Sequence, residues 1–347
     1  MSDYYISRVD PKDASGNAMV DALLGREGIR QDQNLDYTCA MYDEEGQVIA
    51  TGSCFDNTLR CFAVSGSHQG EGLLNQIVTH LIDYQAGRGC FHLFVYTKTD
   101  AARFFADLGF HEIARVDGKL VFMENRRNGF SGYLKQLEGT RRNGVSAAVV
   151  MNANPFTRGH QYLAEKAAAS CDTLHLFIVS EDRSLFPFAV RRKLVELGTA
   201  HLPNVCLHDC GPYIISSATF PSYFLKDETD VIKGQARLDV EVFKQIAAVL
   251  NITSRWAGEE TLSQVTRLYN GVMAEELPKA GIRFKEIPRI RVSDEVISAS
   301  SVRTCLKNGD LKALTKIVPY TTLEYLTSPE AQPVLEKIRS AENVVHH

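Results

Sequence analysis

The sequence predicts an α/β protein of two domains, the second built on a doubly wound parallel sheet. Three observations carry that prediction. The chain has 347 residues, more than one hydrophobic core usually serves, so it should divide. From residue 145 onward, short apolar runs alternate with longer helical patterns, as parallel strands joined by right-handed crossovers do. Before residue 125 short strands and hairpin turns dominate, the texture of an α+β unit.

In the first domain, 37–41 and 48–53 read as strands around the turn Asp43-Glu44-Glu45-Gly46, a hairpin with Gly at the turn. A third apolar run, 59–64, precedes Ser67-His68-Gln69-Gly70-Glu71-Gly72. A helix then puts Leu73, Leu74, Ile77, Val78, Leu81 and Ile82 on one face. A strand at 91–96, a helix at 101–108 and a strand at 120–124 complete a domain over 1–127. Arg126-Arg127-Asn128-Gly129 and Arg141-Arg142-Asn143-Gly144 bracket a polar, basic stretch, so 128–144 reads as a linker. The second domain spans 145–347. Its strands are expected at 145–151, 173–179, 205–207, 253–257 and 282–287, and its helices at 159–170, 189–201, 240–250 and 262–277. The tail after Pro333 reads as helical.

Composition narrows the function. The formal net charge is −4, whereas a nucleic-acid binder normally carries a basic excess, so no nucleic-acid partner is expected. No stretch approaches the roughly 20 apolar residues that span a bilayer. The opening residues resemble neither a signal nor a transit peptide, which points to a cytoplasmic protein with no membrane partner. The eight cysteines form no C-x-x-C pair. Cys206-Leu207-His208-Asp209-Cys210 fits no common zinc spacing, and strand alternation explains it equally well. Reduced, mostly buried thiols and no metal ligand set are the expectation.

The chemistry concentrates where strand 145–151 runs into a helix. Asn152 and Asn154 can hydrogen-bond locally and Pro155 fixes the chain direction. Gly159 permits close approach of backbone to a ligand. His160 falls in the first helical turn, where free N–H groups and the helix dipole attract anions. Near the other end of the same domain, Ser298 has the composition of an N-cap, with Ser300, Ser301 and Arg303 just behind it. Each segment alone has an ordinary structural reading, a strand-to-helix turn and a helix cap. Together, in a β–α frame, they read as a nucleotide site.

Thr157-Arg158-Gly159-His160 resembles the (H/T)-x-G-H signature of the nucleotidylyltransferase superfamily, which follows the first strand of a Rossmann-like fold. Ile297-Ser298-Ala299-Ser300-Ser301-Val302-Arg303 resembles its second signature, I-S-x-T-x-x-R/K, with Ser300 where Thr is commoner. The run Asn152-Ala153-Asn154-Pro155-Phe156-Thr157-Arg158-Gly159-His160-Gln161-Tyr162-Leu163 is similar to the citrate (pro-3S)-lyase ligase family. So are Val179-Ser180-Glu181-Asp182 with Phe186-Pro187-Phe188, the run Ser216–Phe224, and Ala257-Gly258-Glu259-Glu260. That resemblance implies an AMP-forming acid–thiol ligase using ATP, Mg²⁺ and acetate. Its acceptor would be the thiol of a CoA-like prosthetic group on the acyl-carrier subunit of citrate lyase, with AMP and diphosphate released. It further implies that His160 and Thr157 donate to α- or β-phosphate oxygens and that Ser300, Ser301 and Arg303 hold the departing diphosphate, with Ser298 in the same ATP site. Asn152, Ala153, Asn154, Phe156, Gly159, Gly258 and Glu259 would line the ATP. Arg191 resembles the superfamily's basic residue after the second strand, but a solvated helix residue fits equally well.

Gln69-Gly70-Glu71-Gly72 resembles the pyrophosphate loop Q/R-x-x-G-x-G/A of GNAT acetyltransferases, with Leu74 where Gly or Ala is expected. Residues 101–110 resemble that fold's a-x-x-F/Y-Y-x-x-x-G-F segment. The resemblance implies a GNAT-like domain in which Gln69, Gly70 and Gly72 hold the carrier's CoA-like arm. Acyl transfer and simple docking remain alternative roles. Two other functions fit the same motifs: a phosphopantetheine-type adenylyltransferase, and an acetyl-CoA-dependent acetyltransferase with a nucleotide-sensing domain.

Overall fold

The computed structural model describes residues 4–32, 34–182, 184–214, 228–260, 263–292, 295–341 and 344. The run Ser216–Phe224 quoted above lies outside them. The chain forms two compact units, 1–132 with 219–241, and 133–218 with 242–347.

The first unit is a seven-stranded sheet. Its order from edge to edge is Tyr5–Arg8, Tyr37–Tyr42, Val48–Phe55, Thr58–Val64, Phe94–Lys98, Leu120–Glu124, His111–Val116. Cys39, Met41 and Leu59 lie on one face, where Leu73, Ile77, Val78 and Leu81 of the helix Leu73–Gly87 cover them, and a bulge at Cys61 (φ +52°) turns the strand Thr58–Val64 over beyond Leu59. Ala40, Val48, Cys61 and Ala63 face the other way, onto Val20, Leu23 and Leu24 of the helix Ala14–Arg26. Strands Thr58–Val64 and Phe94–Lys98 run parallel and pair through Thr58↔Phe94 and Leu59↔Val95, near their starts.

Four elements here exceed the sequence reading, the first of them the edge strand Tyr5–Arg8. The helix Ala14–Arg26 opens on Ser15, Gly16 and Asn17, all poor helix formers. Asp13 caps it, accepting from the N–H groups of Ser15 and Gly16, and its apolar face is buried. The strand His111–Val116 buries Ile113 and Ala114. The stretch expected as a linker contains a helix, Gly129–Glu138, anchored by buried Phe130 and Leu137.

The second unit holds a five-stranded sheet, parallel throughout. Its order is Val205–Asp209, Thr173–Ile178, Ser146–Met151, Ile252–Gly258, Arg283–Ile287. The unit's first strand, Ser146–Met151, therefore sits in the middle. The order reverses between it and Ile252–Gly258, and ligands of open α/β sheets bind beyond the carboxyl ends of strands at such a switch point. Ala147, Val149, Met151, Leu174 and Leu176 lie in one buried cluster with Leu163, Ala164 and Ala167 of the helix Arg158–Ala168 and Val302 and Leu306 of the helix Ala299–Asn308. The tail is helical at Gln332–Ser340, as expected, with Leu311–Ile317 and Tyr320–Thr327 before it.

All eight cysteines are free. Burial pushes the thiols of Cys39, Cys54 and Cys61 up to about 12, so these three are inert packing residues. No helix of the described residues is long and apolar enough to cross a membrane.

Candidate active site

The strand Ser146–Met151 ends at the switch point, and the next six residues form a rigid loop leading into the helix Arg158–Ala168. Ala153 stands at φ +50°, a left-handed backbone that costs an L-residue other than Gly roughly 1–2 kcal/mol. Such a residue persists only where its surroundings impose it. Here two buried arginines do so. Arg191 donates to the Asn152 carbonyl at 2.9 Å and to its Oδ1 at 2.8 Å. Arg303 donates to the Asn154 carbonyl at 2.6 Å. The carbonyls on both sides of Ala153 are thus held by guanidinium groups whose relative exposures are 0% and 2%.

Each arginine also holds a second segment. Arg191 donates to the carbonyls of Val179, Glu181 and Phe186, which fixes the loop after the neighbouring strand Thr173–Ile178. Asn154 Oδ1 accepts from the Phe186 N–H at 3.1 Å and closes the same loop from the other side. Arg303 donates to Ser300 Oγ at 3.2 Å and to the Val344 carbonyl. Burial lowers its pKa to about 10, so it remains a cation at neutral pH. The structure thus rejects the solvated reading of Arg191, and it buries Arg303 in the same way.

At the helix start, Thr157 is the N-cap and forms a capping box with His160. The His160 N–H donates to Thr157 Oγ1 at 3.3 Å, and the Thr157 N–H donates to His160 Nδ1 at 3.1 Å. An Nδ1 that accepts carries no proton, so neutral His160 holds its proton on Nε2. Burial, reinforced by the positive charge of Arg289, lowers the His160 pKa to about 4. At neutral pH the ring is therefore an uncharged Nε2–H donor. Its plane stacks on Phe156, at 5.8 Å between centroids and 20° apart.

The second motif meets the first here. Gly159 lies against Ile297: a Cβ added to it would come within 3.4 Å of the Ile297 carbonyl and 3.8 Å of the Ile297 side chain. Ser298 caps the helix Ala299–Asn308, accepting from the Ser301 N–H at 3.0 Å. Ser298 Oγ and Ser301 Oγ are 2.8 Å apart. Two helix N-termini, each able to receive an anion on its free N–H groups, thus belong to segments that touch.

The other expected residues divide. Phe156 is fully buried and packs against Gly198, so any nucleotide contact from it runs through backbone. Asn152 is exposed and Thr157 and Asn154 are buried. Gly258 ends the strand on the other side of the switch point, and its carbonyl accepts from Asn270 Nδ2 at 3.1 Å. Glu259 is held through its backbone, its N–H donating to the Ile287 carbonyl and its carbonyl accepting from Arg289 Nε. Arg289 is the residue the sequence reading missed. It pairs with Glu260 and is the cation nearest in effect to His160. Its signal was available: Pro288-Arg289 directly follows the carboxyl end of the strand Arg283–Ile287.

In the first unit, Gly70 and Gly72 adopt φ +91° and +76°, and the helix Leu73–Gly87 starts directly behind them. Gln69 is exposed, and Leu74 packs against the sheet-facing core.

Comparison with known proteins bears on both units. The family described as citrate lyase ligase C-terminal domain matches residues 146–326, and the acetyltransferase (GNAT) family matches residues 10–110. The chain is 40% identical over 305 residues to a citrate (pro-3S)-lyase ligase from Escherichia coli (strain K12), covering 85% of this chain and 87% of that one. It is 36% identical over 316 residues to a citrate (pro-3S)-lyase ligase from Haemophilus influenzae, covering 89% and 94%. A GNAT-family acetyltransferase from Staphylococcus aureus MU50, a solved structure, aligns with 35% of this chain and 99% of its own, at 11% identity and a TM-score of 0.30.

Proposed function

The chain belongs to the citrate lyase ligase family, and from that premise we propose that it activates citrate lyase by acetylating the prosthetic-group thiol of its acyl-carrier subunit. Acetate and ATP supply the acetyl group through acetyl-adenylate. A carboxylate oxygen of acetate attacks the α-phosphorus, and the bond from that phosphorus to the bridging oxygen of diphosphate breaks. The carrier thiol then attacks the acetyl carbon, gives up its proton to solvent and expels AMP. Neither step needs a covalent bond to the protein, so the protein's contribution is positioning and charge stabilisation.

The observation that carries this reading is the convergence of the two phosphate-type segments on one clamped loop at the switch point. His160 Nε2–H donates to an α- or β-phosphate oxygen as charge builds there. The first-turn amides of the helices Arg158–Ala168 and Ala299–Asn308, with Ser300 and Ser301, receive the diphosphate. Thr157 fixes the His160 tautomer, and Arg191 and Arg303 hold the loop that presents it. Mg²⁺ enters with the triphosphate, whose charge it offsets. Gly258 and Glu259 present backbone at the neighbouring strand end for the ribose or base. Gln69, Gly70 and Gly72 take the carrier's CoA-like arm.

Exchange of labelled diphosphate into ATP, with Mg²⁺ and without carrier, tests the reading. Exchange that requires acetate is expected. Exchange that instead requires phosphopantetheine, with acetate inert, would replace this function by that of an adenylyltransferase.

A further inference from the structure

The sheet of the second unit carries a cluster that the proposed reaction does not use. Cys206 and His208 alternate on the edge strand Val205–Asp209, so their side chains leave the sheet on one face. The neighbouring strand Thr173–Ile178 is parallel and in register, with Cys206 opposite His175 and His208 opposite Phe177. Register therefore brings His175 to the same face. His175 Nδ1 lies 2.9 Å from His208 Nε2, and ligand atoms of His175, His208 and Cys206 all lie within 4.8 Å of one another. From these contacts we propose that His175, His208 and Cys206 form a binding site for one Zn²⁺ ion, which ties the edge strand to its neighbour.

The donor set fits this metal. Two imidazoles and one thiolate are borderline-soft ligands, which suit Zn²⁺ and not Mg²⁺ or Ca²⁺. The metal needs imidazoles with free lone pairs; the 2.9 Å contact between His175 Nδ1 and His208 Nε2 holds one proton, which metal binding moves to the far nitrogen of the same ring, so that both facing nitrogens can ligate. Binding releases one proton, from the Cys206 thiol. The pair separation of 2.9 Å needs to open by only about 0.4 Å to place both nitrogens at tetrahedral Zn–N distances. Cys206 is partly exposed and gives the ion a way in. The linear spacing of Cys206, His208 and Cys210 hid the site because its third ligand comes from a strand some 30 residues earlier.

The full-length chain, stripped with chelator, is titrated with Co²⁺ and then with Zn²⁺. One Co²⁺ per chain should bind and give a thiolate-to-metal charge-transfer band in the near ultraviolet, which Zn²⁺ bleaches. Cys206→Ser should remove the band and weaken Zn²⁺ binding by at least the roughly 100-fold that loss of an outer-shell partner alone can cost. Cys210→Ser, two residues away, should keep both. Zn²⁺ should raise the unfolding temperature of the wild type and of Cys210→Ser, but not of Cys206→Ser, with circular dichroism verifying that each variant is folded. Absence of the band in the wild type, or its survival in Cys206→Ser, would overturn the site.

Discussion

At the scale of the residue, the position of one proton decides what the first helical turn can offer a phosphate. His160 gives its Nδ1 to the Thr157 N–H, so the nitrogen that remains for a phosphate is a donor whenever the ring is neutral. Removing a donor aimed at developing transition-state charge costs roughly 10²- to 10³-fold in rate. His160→Ala is therefore expected to lower acetate-dependent diphosphate exchange by about that factor while changing ATP affinity much less. Equal losses in rate and affinity would assign His160 to ground-state binding instead. The same group sets a pH dependence. Its folded pKa, about 4, lies below the ordinary histidine value, so between the two the unfolded chain binds the extra proton. The stability it contributes is complete above pH 6.5 and is lost as pH falls toward 4, by at most about 3 kcal/mol. Urea midpoints of the ATP-free enzyme should fall over that window, and His160→Asn should fall less. Identical slopes for the two proteins would remove His160 as the cause.

At the scale of the element, two arginines turn a loop into a fixed surface. Arg303 belongs to the second motif's helix, yet its guanidinium ends on Asn154 in the first motif's loop and on Ser300 behind its own cap. A charged hydrogen bond of this kind contributes about 1.5–3 kcal/mol, and a planar fork is what allows one side chain to hold several acceptors. Arg303→Lys keeps the charge and loses the fork. It is expected to recover part of the stability lost in Arg303→Met, while the KM for ATP in the exchange assay stays raised in both. An unchanged KM in Arg303→Lys would reduce Arg303 to a packing residue. This paired function was only half legible in the sequence. Strand and helix alternation gave the parallel sheet, and Gly159 and Ser298 gave the two phosphate-type helix starts. Nothing in linear spacing shows that Arg303 reaches back about 150 residues to a carbonyl, or that Arg191 is buried, because both depend on which loops the sheet order brings together. Arg289 differs: its place just past the carboxyl end of the strand Arg283–Ile287 was legible, and only its pairing with Glu260 and its effect on His160 depended on the fold. The helices Ala14–Arg26 and Gly129–Glu138 were missed for a different reason: their Gly, Ser and Asn residues mask helices that are held by a cap and by burial.

At the scale of the whole molecule, the two units divide the reaction that we propose. Acetyl-adenylate is a mixed anhydride that water also attacks, so productive transfer depends on the thiol being held when the anhydride forms. A net charge of −4 gives no general electrostatic capture of an anionic arm, and recognition must be local. The loop at Gly70 and Gly72 is suited to this, since its left-handed backbone leads directly into the helix Leu73–Gly87, whose first-turn N–H groups have no partner within the helix. Substituting Gly72 by Val forces a β-branched residue to φ +76°, which disturbs the loop at a cost of about 1–2 kcal/mol. Diphosphate exchange, chemistry of the second unit alone, should keep its wild-type rate in Gly72→Val. Acetylation of the carrier should fall by about 10-fold or more in kcat/KM, because a misplaced arm forfeits effective molarity. Loss of both activities would place Gly72 in the general stability of the chain. Loss of neither would leave the first unit a docking module and move arm recognition to the adenylate-forming unit itself.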